Sequence, residues 1–258
     1  MKAFINNILG KIRVTHNNSD NAPSENKYNA SNVSHQNAMK WFEKRKHNYE
    51  ELISAIIPYV TEDSVIFDIG ANIGYFSLLL TEKFNFSGSL FLFEPVDHLA
   101  ELCKTTFQNA RFKVQINNYG LSDANAEEEI FIAGDGNLGW NTLISQKATS
   151  DMSKTLVKLR VFDDCSIDTI PTFIKIDVEG AEFKVLRGMM GSLTKWKPLP
   201  VIICEIGWGK NHPEWEEEKQ VFADLVKFGY KICNLDGLPI DINLLTGTID
   251  VIFIPADK

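Results

Sequence analysis

The sequence predicts an α/β fold: a mostly parallel central sheet with helices on both faces and an antiparallel closing strand. Three observations predict it. From residue 64 onward, apolar runs of strand length recur between amphipathic stretches of helix length. Those runs are apolar at successive positions rather than alternate ones, as in strands buried on both faces. The last two runs, 230–235 and 248–256, are joined without room for a crossover helix, so they pair antiparallel.

Taken in order, residues 1–13 form a short strip with Phe4, Ile5, Ile8, Leu9 and Ile12 on one side and Lys2, Lys11 and Arg13 beside it. Such a strip frays or docks on the domain, and it is also where the chain has the chemistry to touch a membrane surface. Residues 15–37 hold almost nothing to bury and read as a loose linker. The chain is therefore divided into a flexible segment, 1–37, and a domain, 38–258. Trp41, Tyr49, Leu52, Ile53, Ile56 and Ile57 predict a helix that stops near Pro58. Strand "SVIFDIG", helix 75–83, strand "SLFLFEP", helix 98–109 and strand "FKVQINN" follow. The alternation breaks over 127–163, where "EEEIFIA" and "LVKLRVF" flank the loop "GDGNLGWNTL". It resumes with "TFIKIDVEG", a helix over 181–190, strand "PVIICEIG", a helix over 215–228 and the closing pair.

A net charge of −8 makes the chain a poor partner for nucleic-acid phosphates or an anionic membrane. The four cysteines, Cys103, Cys165, Cys204 and Cys233, form no C-x-x-C pair and fit reduced thiols, hence a cytoplasmic setting. No apolar run reaches bilayer length, and "MKAFINNILGKIRV" is too interrupted for a signal-peptide core.

Where the first strand hands over to a helix, "VIFDIGANIGYFSLLL" places Asp68, Gly70, Asn72 and Gly74 at every second position. A core needs none of them there. Ligands of open parallel sheets sit at the carboxyl ends of the strands. Gly70 lets the backbone turn, Gly74 lets the next helix come close, and Asp68 is expected as an unpaired carboxylate facing the crevice. An acid there repels the pyrophosphate that a G-x-G-x-x-G turn would welcome. It suits a ligand with a cationic end, and S-adenosylmethionine carries an ammonium and a sulfonium and no phosphate. Glu94, ending the second strand, is placed to accept hydrogen bonds from both ribose hydroxyls. Asp123, in "GLSD", is offered for the adenine amino group or is simply an Asp in a turn.

The stretches "VIFDIGANIGYFS", "LFLFEP", "NNYGLSD", "IDTIPTFIKIDVEGAE" and "PVIICEIG", in that order over roughly residues 60–210, resemble the FkbM family of methyltransferases. The segment Ile174–Glu182 is the most specific part. The resemblance implies a Rossmann-like class I methyltransferase fold and S-adenosylmethionine-dependent O-methylation of hydroxyls on sugars or secondary metabolites. It implies that Asp68, Gly70, Asn72, Gly74, Glu94 and Asp123 contact the cofactor. Two departures leave the acceptor open: "GWNTL" has Asn-Thr where many members carry Ser, and residues 1–60 fall outside the resemblance.

Lys175, Asp177, Glu179 and Glu182 crowd one strand-to-helix turn. Glu182 suits a structural part at the helix N-terminus. Asp177 ends a central strand, where a sheet prefers an apolar residue, so its charge marks a site. Methyl transfer to an alcohol needs a base to take the proton, and carboxylates crowded together have raised pKa values. Asp177 or Glu179 is the expected base, with Glu205 facing the acceptor and His212 a second base candidate; Trp208 and Trp140 are candidate pocket walls. Asp177, Glu179 and Glu205 offer oxygen ligands, but their spacing does not demand a metal and none is expected. The competing functions are a nicotinamide-dependent oxidoreductase, disfavoured by Asp68, and a non-catalytic S-adenosylmethionine-binding protein.

Overall fold

The computed structural model describes residues 30–134 and 136–256. The strip over 1–13 and the linker as far as residue 29 lie outside the described residues. Packing begins within the rest of the expected linker, because Ala30 and Val33 are fully buried and Ser34 caps the first helix through Asn37 N–H. Two small apolar side chains among many polar ones suffice to seat that stretch. Helix α1 spans His35–Glu43 and α2 spans Lys46–Ile56, ending just before Pro58.

Along the chain come β1 (Val65–Ile69), α3 (Tyr75–Glu82), β2 (Ser89–Phe93), α4 (Asp97–Thr106) and β3 (Lys113–Asn117). Then come β4 (Gly120–Ser122), β5 (Ala126–Ile132), β6 (Ser153–Val161), β7 (Phe173–Ile176), α5 (Glu182–Gly188) and α6 (Met190–Lys195). Last are β8 (Val201–Ile206), α7 (Trp215–Lys227), β9 (Tyr230–Cys233) and β10 (Ile249–Pro255). Seven strands form one sheet in the order β3-β2-β1-β7-β8-β10-β9. The paired strands run parallel up to β8, and β10 is antiparallel to both β8 and β9, as the short connection required. The break in the alternation is a separate sheet, β4-β6-β5. Glu127, Glu128 and Glu129 of β5 are exposed, which bars that strand from a doubly covered sheet.

Alternation sorts the central strands onto two faces. Phe67, Phe91, Ile174 and Ile202 pack with α5 and α7 on one side. Ile66, Leu90, Phe173 and Ile203 pack with α1, α2 and α3 on the other. By the same period of two, Asp68, Lys175 and Glu205 fall on the second face. Strand order reverses between β1 and β7, so the crevice for a ligand opens above their carboxyl ends. Among the described residues no helix is long and apolar enough to cross a membrane.

Candidate active site

A crevice enclosing about 870 Å³, its open mouth included, lies where the turns after β1, β2 and β7 meet. Gly70, Asn72, Glu94, Asp177 and Glu179, all singled out in the sequence, line it.

Gly70 has φ 78°, and a Cβ there would stand 1.9 Å from the Asp177 carbonyl oxygen, so the turns after β1 and β7 touch only because this residue is glycine. Gly74, at φ 79°, lies against the Phe107 ring, which holds α4 close to α3. Asn72, Glu179 and Trp208 are the non-glycine residues with positive φ among those described, and each belongs to the loop following β1, β7 or β8. Backbone strain of this kind gathers where a surrounding structure fixes a site.

Asp68 is not the unpaired carboxylate expected at the crevice. It is fully buried, accepts from Ser77 Oγ at 2.7 Å, and stands 3.4 Å from Lys175 Nζ through its other oxygen. The physical reason is register: Asp68 sits directly opposite Lys175 on the neighbouring strand. Lys175, itself buried, also lies 3.3 Å from Asp177 Oδ2. Burial works against the lysine's charge, but the Asp177 and Asp68 carboxylates outweigh it and hold its pKa above the usual range. The result is a chain Asp68–Lys175–Asp177 leading from the core to the crevice. Asp177, 39% exposed, is its accessible end.

Glu94 accepts from Val96 N–H at 2.9 Å and from Asn72 N–H at 2.8 Å, and burial pushes its pKa up to about 7. These bonds tie the ends of β1 and β2 together. Asn72 Nδ2 reaches the Leu138 carbonyl at 2.5 Å, while its Oδ1 is buried without a partner. The Gly-rich loop thus arches over the crevice from Asn72 to the turn after β7, where Thr142 Oγ1 donates to the Glu179 carbonyl at 2.8 Å.

Other residues lie elsewhere. Asp123 is ion-paired with Arg187 at 2.9 Å and does not line the crevice. His212 is buried: its Nδ1 accepts from Glu214 N–H at 3.1 Å, which leaves the proton on Nε2 to donate to the Gly180 carbonyl at 2.9 Å. Both ring nitrogens are engaged with backbone, so His212 ties the 208–214 loop to the turn after β7. Glu205 occupies a recess with Leu52 and Asp250 beside Asp177 rather than the crevice itself. Burial raises its pKa well above the carboxylate range, with Asp177 and Glu179 adding to the effect. The crowding anticipated around the turn therefore falls on Glu205. Glu182 closes the turn by accepting from Val178 and Gly180 N–H, in keeping with a structural part. Asp177, Glu182 and Glu205 bring one oxygen each within 4.8 Å of one another, but the backbone bonds to Glu182 account for its place there. Trp140 is 58% exposed on the arching loop.

Sequence reasoning missed the wall facing this turn. Phe42 of α1, Tyr49 of α2 and Tyr75 of α3 line the crevice, with Phe42 stacked on Tyr75 at 5.3 Å and Tyr49 edge-on to it at 5.4 Å. Trp41 and Tyr49 carried an apolar signal, but the signal of a packed helix and of a pocket wall are the same.

A sheet with one reversed strand next to its edge, and a crevice built from glycine turns and carboxylates at the switch in strand order, define a methyltransferase-type α/β domain. The chain belongs to the FkbM methyltransferase family: residues 68–232 match the model of the methyltransferase FkbM domain. It is 27% identical over 165 residues to the hexuronic acid methyltransferase AglP of Haloferax volcanii, a match covering 62% of this chain and 63% of that protein. Among solved structures, it is similar to an FkbM methyltransferase from Methylobacillus flagellatus (18% identity, TM-score 0.48, 76% of this chain and 44% of that one). It is also similar to the O-methyltransferase TomG of Streptomyces achromogenes, solved in complex with SAM (11% identity, TM-score 0.46, 80% and 78%).

Proposed function

We propose that the chain is an S-adenosylmethionine-dependent O-methyltransferase acting on a hydroxyl of a sugar or glycan. The observation that carries the proposal is Asp177: a carboxylate at the end of a central strand, open to the crevice, beside the ammonium of a buried lysine. The crevice fits the cofactor. Its charged lining is Glu94, Lys175, Asp177 and Glu179, three carboxylates against one ammonium already engaged, which welcomes a cationic ligand and repels a pyrophosphate. The orphaned Asn72 Oδ1 is a further acceptor in its wall. Gly70, Asn72 and Glu94 would hold the cofactor, with Glu94 toward the ribose, while Asp68 and Gly74 shape the turn from behind. A nicotinamide dinucleotide meets the same three carboxylates with its phosphates and fits poorly.

When bound, S-adenosylmethionine supplies a methyl group on a positively charged sulfur. The chain's own residues seat the acceptor hydroxyl and take its proton as the new O–C bond forms. Asp177 receives that proton at its carboxylate, and the Lys175 ammonium 3.3 Å away holds the carboxylate in place. The arching loop from Leu138 to Thr142 narrows the mouth against water. The relative named for hexuronic acid supports the sugar class of the acceptor and not its charge.

Calorimetry with S-adenosylmethionine and with a nicotinamide dinucleotide tests the cofactor, and labelled-methyl transfer to a glycan panel tests the reaction. Asp177→Asn is expected to lower turnover at least about 100-fold with cofactor affinity nearly unchanged. Turnover equal to the parent chain removes Asp177 as the base.

A further inference from the structure

The family match begins at residue 68, yet two crevice-lining aromatics, Phe42 and Tyr49, come from α1 and α2 ahead of it. Both helices pack on the sheet face that carries Asp68 and Lys175. Helix α2 lies over the carboxyl ends of β7 and β8: one turn beyond Tyr49, its Leu52 closes the recess that holds Asp177, Glu205 and Asp250. Tyr49 is therefore placed toward the Asp177 end of the crevice. Consistent with that place, burial raises its pKa first, and the Asp177 carboxylate adds to it next.

The hydroxyls of the aromatic group are not equivalent. Tyr75 donates to Glu43 Oε2 at 2.6 Å and is committed. The Tyr49 hydroxyl makes no hydrogen bond among the described residues, although Tyr49 is a crevice residue whose ring is fixed edge-on to Tyr75 and 6.1 Å from Phe42. A rigid phenol in the crevice lining, with its hydroxyl uncommitted to the protein, is available to a ligand.

We propose that α2, backed by α1, forms the acceptor wall of this site, in which the Tyr49 ring, supported from behind by the buried Phe42, takes the C–H face of an uncharged pyranosyl ring and the Tyr49 hydroxyl holds one of its oxygens toward Asp177. The inference rests on the methyltransferase reading above and deepens it. Aromatic faces match the axial C–H groups of a pyranose, and phenol and carboxylate match its hydroxyls. The charge is assigned by exclusion. Three carboxylates line the crevice, and its ammonium is shared between Asp68 and Asp177, so an acceptor carboxylate finds repulsion and no partner.

Saturation-transfer NMR on the full chain with S-adenosylhomocysteine present, using methyl glucoside, methyl galactoside, methyl mannoside and methyl glucuronide as probes, tests it. In the parent chain at least one neutral glycoside is expected to receive saturation on its ring protons, and to bind about 10-fold or more tightly than the glucuronide. Tyr49→Phe keeps the ring and is expected to weaken that glycoside about 2- to 10-fold, the loss of one hydrogen bond. Tyr49→Leu is expected to abolish the transfer. In both variants S-adenosylmethionine affinity stays within about twofold, which also shows that they are folded. Cofactor binding without any glycoside binding, a preference for the glucuronide, or a Tyr49→Leu variant that binds glycosides like the parent each overturns this inference while sparing the methyltransferase. Failure to bind S-adenosylmethionine overturns both.

Discussion

On one face of the central sheet, β1, β2, β7 and β8 turn Phe67, Phe91, Ile174 and Ile202 inward, with no charged strand residue among the buried ones. On the other face the same strands turn in Ile66, Leu90, Phe173 and Ile203, but also Asp68 and Lys175, with Glu205 at the margin. Packing alone explains the first face. The second bears buried charge that a core of apolar residues would do without, and it bears it only toward the carboxyl ends of the strands, beneath the crevice. The difference teaches that the fold is specified on one side and the chemistry on the other.

The largest expected effect comes from breaking that division at Lys175. Lys175→Met strands the Asp68 carboxylate in the core beside an apolar side chain, and should cost about 3–5 kcal/mol of stability. The double variant Asp68→Asn/Lys175→Met should recover much of it, since neither charge is then left alone. Phe67→Leu on the opposite face should cost about 1–2 kcal/mol and leave S-adenosylmethionine affinity unchanged, whereas Lys175→Met should shift it, because it removes the ammonium from the crevice lining. Urea unfolding and calorimetry on the four proteins separate these outcomes. Equal stability of both single variants would mean that the charged face is no more than a core with tolerated polar residues.

The first face was legible in the sequence because burial on two sides writes itself as uninterrupted apolar runs, and those runs marked the inner strands β1, β2, β7, β8 and β10, whereas the edge strands β3 and β9 are interrupted by lysines and polar residues. The charged face was legible only in part. Gly70, Asn72, Glu94 and Asp177 stood out because their types are wrong for strand ends, and the structure brings all four to one crevice. Asp68 stood out for the same reason, but its partner did not. That Asp68 lies opposite Lys175 depends on the register of two strands more than 100 residues apart, which no local pattern encodes. Phe42 and Tyr49 were invisible as site residues for a different reason: an aromatic residue on an amphipathic helix looks the same whether it faces a core or a cavity. The short sheet β4-β6-β5 was seen as a break in the alternation and not as a sheet, since β4 has only three residues.

Glu218 sharpens the comparison from the apolar side. It is buried on α7, and burial first, then Glu182 and Glu214, push its pKa up to about 8. A carboxyl that is neutral when folded contributes stability that is complete below its unfolded value, about 4.3, and is lost as the pH climbs through 8. Thermal stability of the parent chain should therefore decline across that window. Glu218→Gln should flatten the decline and be the more stable protein above pH 8, by about 1–3 kcal/mol, the cost of burying a polar group without compensation. If the two unfolding profiles run parallel, Glu218 does not titrate in that window.

The smallest effect separates a carboxylate that serves packing from one that serves binding. Glu94 has its pKa raised to about 7 by burial, against the opposing pull of the Val96 and Asn72 N–H groups. Each of its oxygens already accepts one backbone bond, so only the ionised form keeps acceptor capacity on both for a pair of ribose hydroxyls. Protonation turns one oxygen into a donor. Cofactor affinity should therefore rise with pH through 7, by up to about tenfold between roughly pH 6 and pH 8, because the favourable form grows from a minor to the major species. This is the opposite sign to the folding effect at Glu218, where the neutral form is the favourable one. Glu94→Gln should bind more weakly at pH 8 and show little pH dependence, when calorimetric Kd values for S-adenosylmethionine are compared across the range. A Gln variant that follows the same pH profile as the parent would move the ribose contact away from the end of β2.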